Sequence, residues 1–188
     1  MHFDITPDSV VRALLVRARC DIGEVVSLRA VAAALGLTLV VGKSRGLHGT
    51  ALPGVIVFDG SQRSLAHELA HHACALFGLP TPHDERFVVA VASALVVPRD
   101  AYLRALRHGV SLADRALRFG VQETCVALRE GETTGRPVAV WCGPGKLLNA
   151  GEWYAPMEVV ERMVKARHRA LMIRPLGDRP RRVVVVPA

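Results

Sequence analysis

No apolar run in the 188-residue chain approaches the roughly 20 residues that a membrane helix needs. The longest candidates are broken by Arg or Gly, so a membrane protein is not expected. Paired cysteines are lacking too. Cys20, Cys74, Cys125 and Cys142 are far apart, with no C-x-x-C pair, so they suggest neither a zinc ribbon nor a disulfide framework. They read as small apolar side chains in a reduced, cytoplasmic chain. The start Met1-His2-Phe3-Asp4 carries an acid early and lacks the basic, apolar lead of a signal peptide, which gives the same location. No internal repeat or low-complexity linker is visible.

What is present describes a folded domain. Hydrophobic residues make up 51% and charged residues 22%, which excludes a disordered, collagen-like or mucin-like chain. A chain of this length suggests one compact domain, with room for a small appendage, and buries about two-thirds of its unfolded surface. It needs no disulfide or metal merely to fold. Lys plus Arg is 24 against 17 acids, a net charge of +7. That excess allows an acidic partner such as nucleic acid without demanding one.

Thr6-Pro7-Asp8 caps a first helix with Val10, Val11, Leu14 and Leu15 on one face. A second helix is predicted from Ser27 to Gly36. The runs 37–41 and 55–58 are β-rich and flank the Gly-rich stretch 42–54, which predicts a small, mostly antiparallel sheet. Helices are then expected over 64–77, ending at Gly78, and from near Pro82 to Pro98, with Thr81 as cap. Three short helices should cover 99–108, 112–118 and 122–129. Strands 138–142, 171–173 and 182–186, with a helix over 156–168, complete the pattern.

The chemistry is concentrated in His67-Glu68-Leu69-Ala70-His71, an H-E-x-x-H on a predicted helix. Residues four apart share a face, so both imidazoles can bind one Zn²⁺ at about 2.0–2.1 Å. Glu68 lies about 100° round the helix, where it can hold a water at the metal and take its proton. A chain with 8 His should show this pattern by chance roughly 0.02 times. Its flanks Leu65, Ala66, Leu69, Ala70 and Ala73 are apolar, and buried histidines beside a buried Glu are costly without a partner such as a metal. The plain alternative is a pair of hydrogen-bonded structural histidines. A catalytic zinc also needs a third protein ligand and an open position. His83, Asp84 and Glu85, at the start of the next helix, are all candidates, and spacing does not choose among them.

These residues resemble the ImmA/IrrE metallopeptidase family. The first motif is His67 to His71; the second is Glu85-Arg-Phe-Val-Val-Ala-Val-Ala-Ser-Ala-Leu-Val-Val-Pro98, similar to the family's E-x-x-x-N-x-F-A-x-x-L-L-M-P. The strand 55–59 and the lead-in 63–66 also fit. The resemblance covers about Ser27 to Leu106. In that family the Glu thirteen residues before the proline is the third zinc ligand, and Glu85 stands at that place. Val89 and Val97 depart from the motif's Asn and Met. The plain reading of Glu85 alone is a first-turn acid favoured by the helix dipole.

Other residues carry weaker signals. His72 points away from His71, Cys74 suits helix packing, and Tyr102, Tyr154, His108 and His168 could each donate to a tetrahedral intermediate without being singled out. The stretch 111–129 reads as helix-turn-helix, a segment that members of the family often carry. Its polar set, Gln122, Glu123, Thr124 and Arg129, is thin for reading bases, and a packed helical hairpin is the favoured reading. Arg162, Lys165, Arg167, Arg169, Arg174, Arg179, Arg181 and Arg182 supply much of the net charge and read as a solvated face.

The sequence therefore predicts an α+β fold. Residues 1–108 would form a zincin-like metallopeptidase domain with a small antiparallel sheet and an H-E-x-x-H helix. Residues 109–135 would form a helix-turn-helix-like segment, and 136–188 a small C-terminal α/β segment. His67, His71 and Glu85 are the expected ligands of Zn²⁺, with Mn²⁺ as the alternative metal and Glu68 as general base. The resemblance implies a zinc-dependent endopeptidase whose substrate and partner is a DNA-binding helix-turn-helix repressor, in mobile-element or stress regulation. The alternative is a metal-containing, antitoxin-like or transcription-associated binding module without peptidase activity. Direct nucleic-acid binding through 111–129 is less favoured.

Overall fold

A computed structural model describes residues 5–42, 49–52, 54–79, 85–135, 138–141, 147–150, 171–175 and 183–187. Its elements make a mixed α+β chain of two compact units, divided inside one helix between Arg104 and Ala105. The expected helix 156–168 lies outside the described residues, as do Cys142, Tyr154 and His168. Among the described residues no helix is long and apolar enough to cross a membrane.

In the first unit, α1 (Pro7–Arg17) starts as its sequence directs. Thr6 Oγ1 accepts from the Ser9 N–H, the Ser9 hydroxyl accepts from the Thr6 N–H, and Pro7 occupies the first turn. Its buried face is Val10, Val11, Leu14 and Leu15. Ser27 caps the short α2 (Leu28–Ala34). Strands β1 (Thr38–Val41), β2 (Gly49–Leu52) and β3 (Val55–Phe58) follow, and then α3 (Gln62–Leu76) and α4 (Glu85–Val96).

The sheet differs from the antiparallel one expected. Its order is β1-β3-β2, with β2 antiparallel to β3 and β1 parallel to it, Thr38 opposite Val55 and Val41 opposite Phe58. The cause is the extra strand β2 inside the Gly-rich stretch. Two reversals of direction separate β1 from β3, so β1 and the central β3 run the same way.

Ile56 and Phe58 of β3 enter a core shared with Leu14, Val31, Leu69, Ala73, Val88, Val91 and Leu95. Helix α3 packs against β2, β3, α1, α2 and α4. It is therefore covered on most of its circumference, and eight of its residues are buried. α5 (Arg99–Arg107) carries the division between the units.

The second unit holds α6 (Leu112–Phe119), α7 (Glu123–Thr134) and an antiparallel sheet in the order β5-β4-β7-β6. Its strands are β4 (Val138–Trp141), β5 (Leu147–Ala150), β6 (Leu171–Pro175) and β7 (Val183–Pro187). α6 is capped by Ser111 and stops at Gly120, whose φ of 66° is the left-handed conformation that glycine adopts without a Cβ penalty. α7 runs five residues beyond the helix end at 129 that its sequence predicts. Thr133 Oγ1 donates to the Arg129 carbonyl at 2.7 Å, a bond made inside the longer helix. α7 packs on α6 and on β4 and β5.

Candidate metal centre

The site helix begins at a tightly bonded turn. Asp59 Oδ1 accepts from the Ser61 N–H at 2.8 Å, and Ser61 Oγ accepts from the Ser64 N–H at 3.1 Å. This fixes the start of α3, and one and a half turns on, the side chains of His67 and His71 emerge on one face. Their rings stand edge to face, with centroids 4.8 Å apart and planes at 87°.

Glu85, the first residue of α4, completes the group. The two Nε2 atoms are 3.2 Å apart. Glu85 Oε2 lies 3.4 Å from His67 Nε2, and Oε1 lies 3.4 Å from His71 Nε2. Two donors each about 2.0–2.1 Å from a common ion, at the tetrahedral angle, are separated by about 3.3–3.4 Å. The observed edges are close to that separation, and the 3.2 Å approach of the two imidazoles is equally a hydrogen-bond distance. Two neutral nitrogens and a carboxylate are also the donor chemistry that a borderline divalent ion prefers. The residues fit a zinc ion, and among the described residues these three form a cluster able to hold one. Each imidazole is 25% exposed and the Glu85 side chain 63%, so the centre opens to solvent on the α4 side.

Glu68 sits differently. Only 3% of it is exposed. Burial, and then the charge of the Glu85 carboxylate, push its own carboxyl up to about 7. A carboxylate with an affinity for protons near neutrality is suited to exchange them with a reacting group.

The remaining candidates separate on burial. Tyr102 is fully enclosed, which removes its hydroxyl from any substrate. Cys74 is buried in the core, and burial pushes its thiol pKa up. His72 is half-buried, its pKa lowered by burial and then by Arg17. His108 is exposed, in the second unit. His83 and Asp84 lie outside the described residues.

In the second unit, Arg115 is 3% exposed and its Nη1 meets Glu130 Oε2 at 3.2 Å. Arg129 is likewise buried and pairs with Glu132 at 3.1 Å. Thr124 is buried as well. Of the polar set that would read bases, Thr124 and Arg129 are buried, Glu123 is half-buried and Gln122 is exposed.

No protein-family model matches the sequence, and no curated protein matches it. Among solved structures the chain is similar to a Mycobacterium tuberculosis transcriptional regulator, with a TM-score of 0.57 and 14% identity over 89% of this chain. The chain spans 64% of that protein's length. At that identity the likeness is one of fold.

Proposed function

We propose that this chain is a zinc-dependent endopeptidase of zincin type, related to the ImmA/IrrE family. The observation that carries the reading is the meeting of His67, His71 and Glu85 around one point, with the buried Glu68 on the same helix. When bound, a zinc ion supplies Lewis acidity, polarising a carbonyl and acidifying water. His67 and His71 offer their Nε2 atoms and Glu85 its carboxylate oxygens to hold the ion. Glu68 takes the proton of the attacking water on its carboxylate and passes it to the leaving amine nitrogen. The burial that raises its proton affinity also keeps bulk water from competing for that proton. The proposed substrate is a DNA-binding repressor with a helix-turn-helix, as the family resemblance implies.

The test is metal analysis and cleavage side by side. Purified wild-type protein should hold one zinc per chain and cut candidate repressors. Glu68→Gln should hold the zinc and fail to cut. Wild-type rates in Glu68→Gln would exclude the mechanism.

A second reading has one observation in its favour. The similar solved structure is a transcriptional regulator, which supports a metal-containing regulatory module without peptidase activity. Repression or partner binding that persists unchanged in Glu68→Gln, with no proteolysis in either protein, favours that reading.

A further inference from the structure

Strand β1 forms one margin of its sheet. Thr38 and Gly42 donate their N–H groups to the Gly54 and Phe58 carbonyls. Backbone groups alternate in direction along a strand, so the N–H and C=O of Leu39 and Val41 point away from β3. Among the described residues no strand pairs with that outer side. Open margins are usually blunted by charge, proline or a bulge. Thr38-Leu39-Val40-Val41 has no charge and no proline, and its register with β3 is unbroken.

The surface beside this margin is apolar and hollow. Val41 pairs in register with Phe58, so it shares the sheet face that Ile56 and Phe58 bury. Val41 itself is 63% exposed, and Val40 on the opposite face is 43% exposed. A cavity of about 250 Å³ lies against Phe58, walled by Leu28, Arg29, Ser61, Gln62 and Leu65. Gly60 is also in its wall, and a Cβ on Gly60 would lie 3.5 Å from Val41 Cγ1. The margin thus runs up to the cavity. A cavity of ~150 Å³ admits a benzene ring, so this one has room for an apolar side chain.

Charge selects among occupants. Arg29 stands over the Phe58 ring, its guanidinium carbon 5.3 Å from the centroid, and no carboxylate is among the lining residues. Nearby Asp59 has its Oδ1 on the Ser61 N–H. The positive end of the α3 dipole also lies here, at Ser61. A second copy of this chain, with a net charge of +7, would bring like charges together, whereas an acidic segment is attracted.

We propose that β1 is a docking edge for an acidic partner polypeptide. An extended segment adds antiparallel to Leu39 and Val41, and the residue opposite Val41 shares its face. That residue sets an apolar side chain toward the cavity beside Phe58, and a neighbouring carboxylate meets Arg29. Main-chain hydrogen bonds supply affinity and the cavity supplies specificity. The surface shares no residue with the metal centre, so capture by β1 needs neither zinc nor Glu68.

Fluorescence anisotropy of the full chain tests this, with zinc and again in chelator to stop any cleavage. The first of four short labelled peptides alternates glutamate with leucine. A second has lysine for glutamate, a third has serine for leucine, and a fourth is the first methylated at its leucine nitrogens. The first should bind, and the others should bind more weakly by roughly tenfold or more. Val41→Pro removes an outward N–H and leaves the ladder with β3 whole; it should weaken the first peptide by a like factor. Arg29→Glu should reverse the preference between the glutamate and lysine peptides. Unchanged circular dichroism and zinc binding report that both variants are folded. No binding of the first peptide overturns the proposal, as does equal affinity for the methylated one or for Val41→Pro. A wild-type dimer in sedimentation that Val41→Pro makes monomeric would give the edge to a second copy and overturn the acidic partner. Peptide binding that persists in Glu68→Gln, with no proteolysis by either protein, supports the docking edge and removes only the peptidase reading.

Discussion

Glu68 lies within the field of Glu85: burial first, and that neighbouring charge second, push its carboxyl up to about 7. The shift has a sign for stability. Between 4.5, its ordinary value, and about 7, the folded metal-free chain holds a proton that the unfolded chain has released. Stability contributed by this group is therefore present below that window and lost as pH rises through it. Urea midpoints in chelator should fall from pH 4.5 to pH 7.5, and Glu68→Gln should flatten that slope. An equal slope in the variant would remove Glu68 as the source.

Zinc should reverse the balance. An ion that binds only the folded chain, at a thousand times its Kd, stabilises it by about 4 kcal/mol. For a unit of this size that is a rise in Tm of about 10 °C or more. His67→Ala, His71→Ala and Glu85→Ala should each lose most of the rise and most of the bound zinc in elemental analysis. A rise that survives Glu85→Ala would mean that α4 supplies no ligand.

Removing the proton carrier should spare the metal. Glu68→Gln keeps the shape of the side chain, so zinc content should stay at the wild-type level. The cleavage rate should drop by about 10²–10⁴, the range attributed to a positioned general base. A drop in zinc content of similar size would instead make Glu68 a ligand.

Arg115 and Glu130 form an ion pair on α6 and α7, with the guanidinium buried. Breaking one side strands a charge in the interior, so Arg115→Met should cost about 3–5 kcal/mol. Replacing both, as Arg115→Met with Glu130→Leu, should recover most of that loss, because packed apolar groups replace such pairs with little penalty. Chemical denaturation of the single and double variants reads this directly. A double variant as unstable as the single one would place the effect elsewhere.

Much of the helical framework was legible in local signals. Thr6-Pro7 announces α1, Ser27 announces α2 and Ser111 announces α6, because caps and first-turn prolines act on neighbouring backbone groups. Non-local pairing was harder to read. Gly49–Leu52 has little strand propensity of its own and becomes β2 by bonding to β3; missing it made the sheet look antiparallel. The end of α7 lies past the predicted 129, where Gly131 and Thr133 continue the helix and are buried. At the centre, the i, i+4 spacing placed His67 and His71 on one face unaided. The choice among His83, Asp84 and Glu85 came from resemblance, since a reach between two helices leaves no trace in spacing.

One feature of α4 reaches beyond catalysis. Its first residue, Glu85, is the proposed third ligand, and opening turns of helices are where the backbone loosens most readily. Grip and helix start thus rise and fall together. Any event that unwinds those few residues, whether a partner tugging on them or a cut nearby, would draw the Glu85 carboxylate away from the two imidazoles.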